Sequence, residues 1–115
     1  MRPSPLLLTA LLALTGPLPA QAATGFVQGL AVRVPTGEPL PGILVRITQT
    51  RLGVDRVALT DGQGRFQALL LPPETYTLEV ASPGETAPAL QVSVTAGQPS
   101  KAVLWVKPLP ERRAG

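Results

Sequence analysis

Three residue types are missing from the 115-residue sequence, and each absence removes a chemistry. Without cysteine there is no disulfide, no zinc–thiolate site, no thiol nucleophile and no cysteine-linked lipid. Without histidine the commonest general base and the commonest metal ligand are gone. Asparagine is absent while glutamine recurs, so the gap is not the general avoidance of labile amides that a thermophile would show. Aromatics are scarce: Phe26, Phe66, Tyr76 and Trp105 are the whole set. Charge is also sparse, at 15% of residues, and Arg33, Arg46, Arg51, Arg56 and Arg65 are scattered, with only Arg112 and Arg113 adjacent. A nucleic-acid surface needs a concentrated basic face interleaved with stacking aromatics, so nucleic acid is not expected as a partner.

What is present is apolar and punctuated by turns. Hydrophobic residues make up 44% of the chain, too many for a disordered protein, and the length allows one domain. Residues 1–22 read as a secretory signal peptide. Arg2 supplies the positive start, Leu6 to Leu14 the apolar run, and Ala20-Gln21-Ala22 the small-x-small pattern of a cleavage site before Ala23. The apolar run is well short of the ~20 residues that span a bilayer. No stable membrane anchor is therefore expected after cleavage, and the address predicted is secreted or periplasmic. Cleavage leaves 115 − 22 = 93 residues, and loss of Arg2 lowers the formal charge from +3 to +2.

Beyond Gly25 the pattern is of short strands between Gly/Pro turns, with no helical periodicity. Phe26 to Val34 comes first, with Val27, Leu30, Val32 and Val34 on the apolar side and an irregularity near Gly29. Ile43 to Thr50 alternates, with Ile43, Val45 and Ile47 inward and Arg46, Thr48 and Thr50 outward. Val54 to Thr60 is expected to point Val57 and Leu59 inward. Asp61-Gly62-Gln63-Gly64 is a tight turn, leading to a strand at Arg65 to Leu71 that Pro72-Pro73 stops. Thr75 to Ala81 places Tyr76, Leu78 and Val80 inward; Leu90, Val92 and Val94 mark the sixth strand. The seventh, Ser100 to Lys107, carries Val103 and Trp105 on one face and Ala102, Leu104 and Val106 on the other. Seven short strands with close turn signals predict an all-β, two-sheet sandwich over residues 23–107, followed by a flexible tail at 108–115.

The order of these features resembles the carboxypeptidase regulatory-like domain, related to transthyretin-like and Cna-B-type sandwiches. The matching residues are Pro39-Leu40-Pro41-Gly42-Ile43-Leu44-Val45, Thr60-Asp61-Gly62-Gln63-Gly64-Arg65-Phe66, and Leu71-Pro72-Pro73 with Tyr76-Thr77-Leu78-Glu79-Val80. The resemblance implies a seven-stranded Greek-key-type sandwich of the prealbumin or immunoglobulin-like class. It says little of function, since such domains are attached to many unrelated proteins. Glu74 stands where the family has glycine, so a turn needing positive φ there would be strained by about 1 kcal/mol or more.

No catalytic, cofactor-binding or metal site emerges from the residues, and neither enzyme activity nor a cofactor is expected. A calcium loop wants several oxygen ligands close in sequence, and the Asp61–Gly64 turn offers one acid. The hydroxyisourate hydrolysis of some transthyretin-like proteins needs histidines. The internal isopeptide of some pilin domains needs an asparagine; both types are missing. Ser82, Ser93 and Ser100 have no base partner, and Glu38, Asp55, Asp61, Glu74, Glu79 and Glu85 read as solvated surface. Trp105 is expected in the core with Val103. These readings describe an exported, non-catalytic accessory or interaction module. Its partner would be an envelope or extracellular protein met through loops or an edge strand, with polysaccharide binding as the alternative.

Overall fold

The computed structural model describes residues 23–110; the expected export signal and residues 111–115 lie outside them. The seven expected strands are β1 (Gly25–Arg33), β3 (Leu44–Gln49), β4 (Val54–Leu59), β5 (Arg65–Leu71), β6 (Thr75–Val80), β8 (Leu90–Ser93) and β9 (Pro99–Pro108). Two short strands, β2 (Glu38–Pro39) and β7 (Glu85–Thr86), lie in the connections. β1 is the centre of one sheet: β5 and β2 pair antiparallel along one of its edges and β9 runs parallel along the other, with β7 on the end of β9. The second sheet has the order β4-β3-β6-β8, antiparallel throughout. Together they form the all-β, two-sheet sandwich that the pattern predicts, of the Greek-key type that the resemblance implies.

Alternation sets the core, because successive side chains on a strand point to opposite faces. Val45 and Ile47 of β3, Tyr76 and Leu78 of β6, Val92 of β8 and Leu104 and Val106 of β9 meet Val27, Ala31, Phe66 and Leu71 between the sheets. The tyrosine needs a partner for its hydroxyl in such a place. It donates to the Pro72 carbonyl at 2.6 Å, which ties β6 to the Pro72-Pro73 corner.

Two of the quoted motifs hold each other. The buried Thr60 hydroxyl donates to the Leu40 carbonyl at 2.6 Å and accepts from the Ile43 N–H at 2.8 Å. Thr60 N–H donates to the Ile43 carbonyl, and Gly42 N–H donates to the Thr60 carbonyl. Asp61 Oδ1 then accepts from the N–H groups of Gln63 and Arg65, closing the turn. Gly64 adopts φ +76, and a Cβ there would lie 2.8 Å from the Ala31 carbonyl oxygen, so both conformation and space demand glycine. The Pro39–Val45 and Thr60–Phe66 motifs are thus explained by one latch joining the sheets. Glu74 needs no glycine-like conformation: its φ is not positive, Oε1 accepts from Thr75 N–H, and Oε2 pairs with Arg51.

Three strand phases differ from expectation, those of β4, β1 and β9. In β4, Val57 and Leu59 are 61% and 60% exposed, not inward. Pairing with β3 fixes this: Val57 lies opposite the outward Arg46 and Leu59 opposite Leu44, while Val54 and Ala58 pack against the core. In β1, Val27 and Ala31 are the core residues and Gly29 faces inward over the Phe66 ring; Leu30 and Val32 lie on the other face, and Val34 is exposed beyond the strand. The expected irregularity is at Gly25–Val27 instead of Gly29. There β5 carries one residue more than β1, since Ala68 faces Val27 and Leu71 faces Gly25. The bulge puts Leu70 at φ 57, and Arg56 reaches from β4 to donate to the carbonyls of Leu69 and Leu70.

Candidate functional site

The outer face of the β5–β1–β9 sheet is where the sequence and structure diverge most. Trp105 is 52% exposed on this face, with Val103 beside it, so the expected core placement of both is corrected. The reason is the parallel register. β1 presents Gly29 and Ala31 to the interior opposite Ala102 and Leu104, and Phe66 already fills the space over Gly29. An indole has no room there, and Ala102, Leu104 and Val106 of β9 take the inner phase.

Cross-strand pairing arranges the outer residues in rows. Gln67, Gln28 and Lys101 form one row, Arg65, Leu30 and Val103 the next, and Val32 and Trp105 the third. Val32 is only 4% exposed although it faces outward, being flanked by Trp105 on one side and Pro39 on the other. The first two rows line a depression of about 740 Å³, and Trp105 stands beyond its rim. Lys107, exposed and in the same phase of β9, follows Trp105. Strands β1, β5 and β9 contain no acid at all.

The remaining charges are mostly paired elsewhere. Arg33 makes two hydrogen bonds to Glu85 at 2.8 and 2.9 Å, closing one end of the sandwich between β1 and β7. That guanidinium holds the Glu85 carboxyl below the usual carboxylate range. Arg46 and Asp55 form a forked pair on the outer face of the second sheet, which likewise lowers the Asp55 carboxyl. Arg51 pairs with Glu74. Among the described residues, the cations without a carboxylate in salt-bridge range are Arg56, which serves the bulge carbonyls, and Arg65, Lys101 and Lys107. The last three share the Trp105 face. Asp61 borders it, and the N–H groups of Arg65 and Gln63 hold its carboxyl below the ordinary value.

The other residues singled out in the sequence do not converge. Ser82 Oγ accepts from Leu44 N–H, and Ser100 Oγ donates to the Ser93 carbonyl. Asp61 shapes its turn. No three acids lie close enough to hold a metal ion among the described residues. Gln28, Gln67, Arg65 and Lys101 are the face residues that sequence reasoning passed over; the signal available was their shared phase with Trp105 on three strands that lack acids.

Residues 27–105 match the family model of the carboxypeptidase regulatory-like domain. No curated protein matches the sequence. Among solved structures, the chain is similar to the TIE protein of Bacillus anthracis, at 14% identity and TM-score 0.64, covering 76% of this chain and 17% of that one. It is similar to the minor pilin of Streptococcus agalactiae, at 16% identity and TM-score 0.60, covering 81% of this chain and 48% of that one. A third, from Pseudomonas aeruginosa, is described as a candidate carbohydrate-binding protein; it shares 20% identity at TM-score 0.55, covering 74% of this chain and 90% of that one. The chain thus spans less than half the length of the first two, and at these identities the likeness is one of fold. With the family model covering most of the sandwich, the chain belongs to the carboxypeptidase regulatory-like domain family.

Proposed function

We propose that this chain is an exported, non-catalytic binding module of the cell envelope or its surroundings, and that the outer β5–β1–β9 face is its contact surface. The observation that carries this reading is the half-exposed indole of Trp105 on a sheet face, beside Val103 and a row of amides. An aromatic and an aliphatic side chain exposed side by side on a sheet face and rimmed by polar residues form the kind of surface that a partner covers.

The sheet edges are poorer candidates. The β5 edge is bent by the bulge, and the Arg56 guanidinium occupies its carbonyls. The β9 edge carries Lys101 and Lys107 and is bounded by Pro99 and Pro108, the devices that discourage strand addition. Lack of histidine and cysteine, with Ser82 and Ser100 engaged in backbone bonds and Ser93 beside the Thr75 hydroxyl, favours binding over catalysis.

Between a protein and a polysaccharide partner, the exposed Trp105 favours the polysaccharide, because an indole face stacks on the C–H face of a sugar ring. The amide row at Gln28 and Gln67 adds paired donors and acceptors suited to hydroxyls. The test is site-specific photo-crosslinking in the native cells. Probes at Val103 and Gln28 should capture an envelope component, and probes at Thr77 and Gln91 on the opposite sheet should not. Capture at both faces alike, or at neither, overturns the proposal.

A further inference from the structure

We infer that the β5–β1–β9 face takes an anionic polysaccharide, a uronate-type chain whose carboxylates meet Arg65 and Lys101 while one sugar ring stacks on Trp105. The inference rests on the reading of this face as the contact surface and names its ligand class.

Charge complementarity carries it. Among the described residues, the cations without a carboxylate in salt-bridge range, apart from Arg56 at the bulge, all stand on this one face, and its three strands supply no acid. Asp61 borders the face, and its Oδ1 is turned to the backbone of Gln63 and Arg65. Elsewhere Arg33, Arg46 and Arg51 each have an acid partner, so the excess is local to the face. A neutral glycan would need no such excess.

The layout suits an extended polymer. At about 3.3 Å per residue, Lys101 and Trp105 are about 13 Å apart along β9, and Lys101 and Lys107 about 20 Å. A chain lying along β9 would meet a cation, the indole and a second cation in turn. Arg65 lies two strands away, across the Leu30–Val103 row, and would reach the same chain from the side. Gln28 and Gln67 are exposed cross-strand neighbours whose side-chain amides bond to no other described group, which leaves them for sugar hydroxyls. A lipid surface would be served better by more apolar area and by fewer amides than this face offers.

The test is isothermal titration of the full exported chain with polygalacturonate, and with the same polymer after methyl esterification of its carboxylates. Polygalacturonate should bind, the ester about tenfold or more weaker, and binding should fall in about 1 M salt, where the screening length is about 3 Å. Arg65→Gln with Lys101→Gln should weaken binding about a hundredfold, at about tenfold per charge-assisted contact, with the circular dichroism unchanged. Trp105→Ala should cost about tenfold or more. Equal affinity for both polymers, lost with Trp105→Ala, refutes the anionic assignment and leaves the face as the contact surface. Binding that all these variants leave intact refutes both. Phosphatidylglycerol vesicles form the third arm: binding to them and to neither polymer overturns the polysaccharide assignment, as does binding to none of the three.

Discussion

Replacing Thr60 by valine changes one hydroxyl into a methyl group and almost nothing in shape. The hydroxyl is buried, donating to Leu40 O at 2.6 Å and accepting from Ile43 N–H at 2.8 Å. Valine leaves both backbone groups without that partner, at about 1–3 kcal/mol for each buried group so stranded. The added methyl returns roughly 0.8 kcal/mol of apolar burial. A net loss of about 1–5 kcal/mol follows, with a middle value of about 3 kcal/mol that is large for a domain of this size and corresponds to a fall in Tm of about 10–25 °C. Urea unfolding followed by far-ultraviolet circular dichroism is the assay, since the single tryptophan lies outside the core. The midpoint should drop with an unchanged slope. Thr60→Ser keeps both hydrogen bonds and should lose only about 1 kcal/mol. A valine variant as stable as the serine variant would refute the latch.

Three further outcomes follow from the same structure. Tyr76→Phe strands the Pro72 carbonyl and should cost about 1–2 kcal/mol in urea unfolding, with no change in the strand content seen by circular dichroism. Leu70→Gly removes a side chain held in the left-handed region and should stabilise the domain by up to about 1 kcal/mol, read as a higher Tm. Glu85 and Asp61 have lowered folded-state values, the first through Arg33 and the second through the backbone N–H groups of Arg65 and Gln63. Stability from a lowered carboxyl is present above its ordinary value of about 4 and is lost as pH falls through the lowered one. The urea midpoint should therefore hold near neutrality and decline below about pH 4–5, and Glu85→Gln should flatten that decline.

How legible the fold was depended on how unequal the two faces of each strand are. β3 and β6 set Val45, Ile47, Tyr76 and Leu78 against arginine, threonine and glutamate, and their phase was evident. β4 offers Val57 and Leu59 against Val54, Arg56 and Ala58, so hydrophobicity alone selects the wrong face; only pairing with β3 decides it. β9 sets Val103 and Trp105 in one phase with Lys101 and Lys107, against the wholly apolar Ala102, Leu104 and Val106, so the lysines were the signal for the outer face. The inner phase goes to Ala102 and Leu104 because β1 brings Gly29 and Ala31 opposite them. Composition could not reveal that Arg65 and Lys101 share a surface with Trp105, since that follows from a parallel pairing between strands about 75 residues apart, Gly29 with Ala102 among them. The motifs carried the turns well, because Thr60, Asp61 and Gly64 act locally and through one neighbouring loop.

The contact-face reading stands or falls on Trp105, and as the only tryptophan it reports on itself. Acrylamide quenching of its fluorescence in the folded chain measures the exposure directly. Free, the indole should be quenched readily, approaching the urea-unfolded chain, and added polygalacturonate should protect it. An indole shielded from quencher in the free protein would contradict the exposed face on which the proposed function is built.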